Sequence, residues 1–459
     1  MNKFQNDDRV LWRRRWMQTS AGILGAAALA RAAAKRVMPT LSARSAARVI
    51  GANDRINVAI IGVGGMGGGH LRALRRQSEE TGDVQVVAAC DIYQRRKERA
   101  RELGKLGERD VGHDYRELLE RSDVDAVFIA TPDHWHAQMA VDAMAAGKDV
   151  YLQKPMTLTL EEAREVAQAA GKYGRILQVG SQHLSDLRHR QAREWIEQGE
   201  IGELLWAQAT ASRNSLYGEW NYRIEEDASA ANLDWNRWLG SAPRRPFSAE
   251  RYFRWRKYWD YSGGIATDLF YHLLGPLLHD MGPHFPTRVT GCGGIYVQKD
   301  REVPDTCAIL VEYPNFYINL SGSMANASAV KHFPTVIYGH KGTIVFDADQ
   351  VTLLREPIFA PEQAPAAADS GTAFRPPATD LNRAHTDNFL ACVRSRQEPL
   401  LHPLLGYQVM TAIKLGVDSY RLGRVMFFDP ASRKVSSRAG ARPAFEGDGK
   451  NHPPEPRRG

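Results

Sequence analysis

Three residues from two distant parts of the chain have the types needed to move a hydride and a proton together: Lys154, Asp268 and His272. Lys154 stands in Gln153-Lys154-Pro155, directly after an apolar run at 150–152. In a parallel sheet the C-terminal ends of strands face the ligand crevice, so this ammonium would sit where a cofactor and a substrate meet. Pro155 fixes the backbone there, and a cis bond would suit a tight turn. Asp268 and His272 are four residues apart behind Gly263-Gly264. On a helix they share one face, and the paired glycines would let its start abut a ligand. An imidazole titrates near neutrality and can accept a hydroxyl proton while hydride leaves the same carbon. A carboxylate one turn away would orient that ring or hold a neighbouring substrate hydroxyl.

Hydride needs an acceptor, and the chain offers a place for one. An apolar run at 57–61 leads into Gly62-Val-Gly64-Gly-Met-Gly67, with helical sequence continuing over 70–77. Gly62 would allow the tight turn, Gly64 the approach of a pyrophosphate, and Gly67 the closure of the helix onto the sheet. The helix start would then present its free N–H groups to phosphate. A second β-rich run at 84–90 ends in Asp91, whose carboxylate can accept the adenosine ribose hydroxyls. That carboxylate favours NAD over NADP, although Arg95 and Arg96 follow closely and keep a 2′-phosphate open.

These groups need two platforms, and 459 residues are enough for two cores. From 55 to 179, strands expected at 57–61, 84–90, 125–130, 149–152 and 175–179 alternate with helices at 92–107, 115–121, 135–146 and 160–173, a βαβ pattern that indicates a parallel sheet. From 180 to 431 the strands come in succession (204–211, 288–297, 306–313, 316–323, 334–338, 342–346 and 350–355), as in a largely antiparallel open sheet. Helices over 380–421 would return to buttress the first domain. Residues 213–261 are irregular and rich in Trp, Tyr and Arg, as a substrate-covering segment would be, and rings such as Trp220, Tyr222, Trp235 and Trp238 would either stack on sugars or pack a core. An exposed loop is expected over 356–378 and a disordered tail over 432–459.

The net charge of +7 is a property of one end. Residues 1–50 carry +8, leaving the rest at −1, so a nucleic-acid-binding surface is not indicated. Arg13-Arg14-Arg15 precedes a short apolar stretch and an alanine-rich run, the order of an export signal of twin-arginine type. Residues 1–38 read as that leader and 39–54 as a linker. The apolar stretch falls short of the roughly 20 residues of a membrane span, and no later segment supplies one, so a soluble periplasmic product is expected. Cys90, Cys292, Cys307 and Cys392 have no C-x-x-C spacing. Cys292 and Cys307 are the pair to check for a disulfide, with buried free thiols the plainer expectation.

Taken together, the glycine turn, Thr131-Pro132-Asp133-His134-Trp135-His136, Gln153-Lys154-Pro155 and Gly263-Gly264 … Asp268-x-x-x-His272 resemble the Gfo/Idh/MocA family of glucose–fructose oxidoreductases and inositol dehydrogenases, over about 55 to 430. The resemblance implies an α/β protein with an N-terminal Rossmann dinucleotide-binding domain and a C-terminal α/β domain on a large, mostly antiparallel open sheet, a surface that often mediates homo-oligomers. It implies a nicotinamide cofactor held by Gly62, Gly64, Gly67, Asp91, Thr131, Pro132, His134, His136 and Lys154. It also implies that Lys154 anchors the substrate hydroxyl, that His272 is the acid/base, and that Asp268 orients it or binds substrate. Three positions depart from the family pattern: Gln153 where Glu is usual, Phe270 where a small residue is usual, and Gly275 where an acid is frequent. The first removes a charge near the cofactor and the others reshape the pocket.

The resulting expectation is an oxidoreductase acting on a sugar, polyol or glycoside with a tightly held cofactor, since an exported enzyme finds little free nucleotide. A redox-neutral glycosidase that oxidises, eliminates and re-reduces one sugar is the first alternative. A sugar-binding protein without turnover is the second, and retention of Lys154, Asp268 and His272 together argues against it. His134, His136, Asp268, His272 and His279 match no metal-site spacing, so no metal is expected.

Overall fold

The computed structural model describes residues 55–359 and 371–436. The leader, the linker, much of the 356–378 loop and the chain beyond 436 lie outside the described residues.

Six short strands form a wholly parallel sheet: β1 (Ile56–Ile61), β2 (Val84–Cys90), β3 (Val111–Gly112), β4 (Ala126–Ile129), β5 (Asp149–Gln153) and β6 (Leu177–Gly180). Their order is β3-β2-β1-β4-β5-β6. The reversal between β1 and β4 opens a crevice at their C-terminal ends. Helices α1 (Gly65–Thr81), α2 (Gln94–Gly104), α3 (Tyr115–Glu120), α4 (Asp133–Ala145) and α5 (Leu160–Tyr173) connect them. β4, β5 and β6 are buried along their whole length. Helices on both faces demand this, which is why these strands read as continuous apolar runs rather than alternating ones. Several boundaries are written in the sequence. α5 begins with a capping box between Thr159 and Glu162 and ends at Gly174 in the left-handed region.

After α6 (Leu187–Glu197) and β7 (Leu204–Ser212), the irregular segment contains two short helices, α7 (Trp235–Leu239) and α8 (Ala249–Phe253). A π-helical turn, Ala266–Phe270, then runs into α9 (Tyr271–Met281). The second sheet has ten strands: β7, β8 (Arg288–Gly294), β9 (Thr306–Glu312), β10 (Tyr317–Ser323), β11 (Thr335–Gly339), β12 (Gly342–Phe346), β13 (Val351–Arg355), β14 (Thr372–Phe374), β15 (Met426–Asp429) and β16 (Lys434–Ser436). It is antiparallel except where β10 runs parallel to β7. Two of these strands fall in stretches expected to be loop or tail: β14 pairs with β13, and β16 pairs with β15. They are three-residue edge strands, too short to show a period.

α10 (Ala329–His332), α11 (Leu381–Ser395) and α12 (Pro403–Leu422) complete the fold. α12 packs on β8 and β9 so closely that a Cβ on Gly291 would lie 2.1 Å from the Gly416 carbonyl oxygen. α11 lies against the parallel sheet. Gln77 donates to Asp387 at 2.9 Å, and the His385 ring meets the Val179 carbonyl at 3.0 Å. The four cysteines are free thiols. Cys292 lies opposite Ala308 and Cys307 opposite Gly293, so the register sends the two thiols to opposite faces of the sheet. Among the described residues, no helix is long and apolar enough to cross a membrane.

Candidate active site

The glycine turn is built as its spacing requires. Gly62 has φ +87°, a region that favours glycine. A Cβ on Gly67 would lie 1.8 Å from the Gly62 carbonyl oxygen, so only glycine lets α1 close onto the turn. α1 starts at Gly64 with no side-chain cap and no acid in its first turn, which leaves its first N–H groups available to an anion. A Cβ on Gly64 would have the Arg96 guanidinium as its nearest neighbour, at 3.6 Å. These features fit a dinucleotide pyrophosphate, with Gly62, Gly64 and Gly67 as its cradle.

Asp91 ends β2 beside this turn and is buried. One carboxylate oxygen accepts the Val63 N–H at 2.7 Å and the other the Tyr93 N–H at 3.0 Å. The carboxylate therefore braces the turn, and only its remaining lone pairs are left for a ribose. Arg95 is engaged by Glu225 and Asp227. Arg96 stacks over the Tyr252 ring at 4.8 Å and faces the cleft.

Thr131 and Pro132, between β4 and α4, line the crevice. His134 and His136 do not. α4 begins at Asp133 and carries both rings away from the crevice into the protein. His134 Nε2 meets the Trp238 carbonyl at 2.9 Å, and the Trp135 indole donates to the same oxygen at 2.8 Å. His136 lies between the Pro155 carbonyl at 2.7 Å and the Thr131 carbonyl at 2.9 Å, in the segments that follow β5 and β4, and its single N–H when neutral donates to one of them. Burial holds both imidazoles neutral, pushed down to about 4. The expectation that these rings face the crevice is not met: they fasten the segments that line it.

Lys154, at the end of β5 with a cis bond to Pro155, meets Asp268 and His272 in one cleft of about 1230 Å³. The lysine ammonium donates to the Asp268 carboxylate at 2.8 Å and to the Asp268 backbone carbonyl at 2.6 Å. Arg256 Nε donates to the same carboxylate oxygen at 3.0 Å and the Trp220 indole to the other at 3.1 Å. Burial alone would push this carboxyl up. The adjacent Lys154 and Arg256 cations outweigh it and hold the group well below the usual carboxylate range. Asp268 is thus a clamped anion.

It is not the orienter of His272. That ring's Nδ1 lies 3.1 Å from the Ser181 hydroxyl, just past β6, and the His183 ring lies over it at 4.8 Å between centroids. Burial first, then the nearby Lys154 charge, lowers His272 far below its ordinary value. His272 is therefore a neutral ring, with Nδ1 engaged and Nε2 left for a substrate. Asp268 lies in the π-helical turn and His272 just after it in α9, and Gly264, at φ +68°, lets the chain before them pass close to Val303, 2.8 Å from where a Cβ would stand.

Sequence reasoning missed Arg256, Trp220 and Ser181. The first two come from the irregular segment, held by a buried lysine. Lys257 donates to Glu250 at 2.7 Å, to Asp300 at 2.9 Å and to Asn221 at 2.9 Å, fixing the backbone next to Arg256. Most of the segment's rings are core. Trp235, Trp238, Tyr252 and Tyr261 pack with Tyr93 in a cluster of their own, whereas Tyr222 is half exposed and lines the cleft. Among the described residues no three metal-ligating side chains converge.

Two models of one family match the chain. The NAD-binding Rossmann fold of the GFO/IDH/MocA oxidoreductase family covers residues 56–181, and that family's C-terminal alpha/beta domain covers 240–427. Inositol 2-dehydrogenase of Salmonella typhimurium is 34% identical over 151 residues, 33% of this chain and 44% of that protein. Alpha-N-acetylgalactosaminidase of Shewanella oneidensis is 33% identical over 161 residues, 34% of each. The matched stretches thus span less than half the length of these two relatives. Among solved structures, a levoglucosan dehydrogenase in complex with NADH and levoglucosan superposes with a TM-score of 0.63 at 18% identity, covering 81% of this chain and 99% of that one. An NAD-binding oxidoreductase from Klebsiella pneumoniae gives 0.64 at 21% identity, covering 81% and 98%.

Proposed function

The chain belongs to the Gfo/Idh/MocA oxidoreductase family, and from that premise we propose that it transfers hydride between a nicotinamide dinucleotide and a hydroxyl-bearing carbon of a sugar, polyol or glycoside. The observation that carries the reading is the convergence of Lys154 and His272 in one cleft with the glycine turn.

NAD, when bound, supplies the hydride acceptor; the rest is done by side chains. His272, neutral and with Nδ1 held by Ser181, takes the substrate hydroxyl proton at Nε2. A lysine ammonium has three N–H donors. Two of those on Lys154 are spent on Asp268, and the third is left for the oxygen that gains negative charge as the C–H bond breaks. Asp268 stays ionised and keeps that ammonium charged and in place. Gly62, Gly64 and Gly67 hold the pyrophosphate. Thr131 and Pro132 line the way from that turn to Lys154. Asp91 favours NAD by repelling a 2′-phosphate, and Arg96 faces the phosphate side of the turn.

One observation favours a redox-neutral glycosidase as the second reading: a relative that carries a glycosidase name matches at 33% identity over 34% of its length, next to 34% over 44% for the inositol 2-dehydrogenase. Export of the folded protein, as the leader suggests, would suit either reading if the cofactor travels with the enzyme. The uncovered face of the second sheet, with Trp206 stacked between Tyr317 and Tyr338, is the surface we assign to a second copy of the chain.

The test is to purify the protein, denature it and weigh any released nucleotide, then to screen polyols and free sugars for oxidation and aryl glycosides for cleavage. Released or bindable NAD with turnover of either substrate class supports the reading. A protein that neither holds nor binds a nicotinamide nucleotide contradicts it, and NADP alone would reverse the assignment of Asp91.

A further inference from the structure

One ionisable group at the centre of the cleft has no part in the mechanism above. Asp133 is the first residue of α4 and only 2% exposed, yet it lines the cleft. Among the described residues no other side chain donates a hydrogen bond to its carboxyl. Besides its own backbone N–H, the charges of Arg256, Lys154 and Asp268 act on it.

Its neighbour Asp268 shows what a structural carboxylate looks like here, clamped by three donors. Lys154 and Arg256 against the clamped Asp268 leave one positive charge in excess around Asp133 unless its own carboxyl is ionised. The groups facing it are Lys154 from the end of β5, Arg256 from the irregular segment and Asp268 from the π-turn. On its own helix, His134 and His136 are neutral. Burial pushes the Asp133 carboxyl up to about 8 against the pull of Arg256 and Lys154, so it is largely protonated at neutral pH. An added positive charge would ionise it.

We propose that Asp133 is the counter-charge for the oxidised nicotinamide: a carboxyl held free of side-chain donors in the cleft, which a cationic pyridinium ring ionises and engages and a neutral dihydropyridine does not. The proposal rests on the nicotinamide reading above. It gives the centre a way to accept a cationic ring beside Lys154 and Arg256, and it makes the preference for the oxidised over the reduced form a property of one side chain.

The test is to measure dissociation constants of NAD+ and NADH for the nucleotide-depleted full chain and for Asp133→Asn and Asp133→Glu. Asn should weaken NAD+ by about tenfold relative to NADH, and Glu should keep most of the discrimination. Equal changes for both nucleotides, or none, would overturn the proposal. If the Asn variant does not fold, the wild-type protein still decides. Calorimetry in two buffers of different ionisation enthalpy at pH 7 should show more protons released with NAD+ than with NADH, and equal counts would overturn the proposal. Binding of neither nucleotide would remove the nicotinamide reading itself, and this proposal with it.

Discussion

The parallel sheet and the irregular segment at 213–261 converge on one carboxylate by different means. The sheet delivers Lys154 through a rule of backbone geometry: a residue just past a parallel strand faces the crevice, whatever surrounds it. The irregular segment delivers Arg256 and Trp220 through tertiary packing alone, pinned by the buried Lys257 and by rings packed against Tyr93. The sheet side is set by local sequence and should tolerate little change there. The other side depends on many weak attachments and should degrade gradually.

The sharpest way to break this comparison is at the two reacting groups. Lys154→Ala and His272→Ala should each lower kcat by about 10² to 10⁴-fold on a confirmed substrate while nucleotide binding persists. Wild-type rates in both variants would show the assigned roles to be wrong.

Acid tests both regions at once. His70 and His385 sit in the parallel-sheet half and His134 fastens the irregular segment through the Trp238 carbonyl, and burial lowers all three to about 4. Unfolded imidazoles take up protons from about 6.5 downward, whereas these resist until about 4. Stability is therefore fully present above 6.5 and is lost as pH falls toward 4. Each ring contributes at most about 1.4 kcal/mol per pH unit, measurable by urea unfolding between pH 7 and 4.5. A flat profile would mean that these rings are not buried and neutral.

Two glycines of one turn separate local from diffuse constraint. Gly67→Ala should cost about 3 kcal/mol and abolish nucleotide binding, because its Cβ would strike the Gly62 carbonyl. Gly65→Ala meets nothing within 4 Å and should fall within about 0.5 kcal/mol of wild type. On the other side, Arg256→Met should lower kcat about tenfold, since Lys154 and Trp220 still hold Asp268. Ser181→Ala should give the smallest effect, a few-fold loss in kcat from about 1 kcal/mol of lost positioning, with Thr restoring it. A Ser181→Ala loss as large as that of His272→Ala would mean the hydroxyl takes part in proton transfer.

What sequence could disclose follows the same division. The positions of Gly62, Gly64, Gly67, Asp91 and Lys154 around the crevice were legible because strand ends and glycine turns have fixed meanings in a parallel sheet. His134 and His136 were misplaced because a His-Trp-His after a strand looks like cleft lining, whereas α4 starts at Asp133 and turns both rings inward. The partnership of Asp268 with Lys154 was hidden by spacing. Four residues along a helix suggested His272, and nothing local shows that Lys154, 114 positions away, arrives on the same oxygen. Ser181 lacked any signal and Trp220 carried only that of an aromatic-rich segment, since a single serine or tryptophan takes its role from what the fold brings to it.

The most direct measurement is a crystal structure of the protein with NADH bound. The pyrophosphate is expected on the first turn of α1 and the nicotinamide ring beside Lys154, with the open face of the ring toward His272 Nε2. A nucleotide bound away from the glycine turn, or a ring out of reach of either side chain, would contradict this expectation.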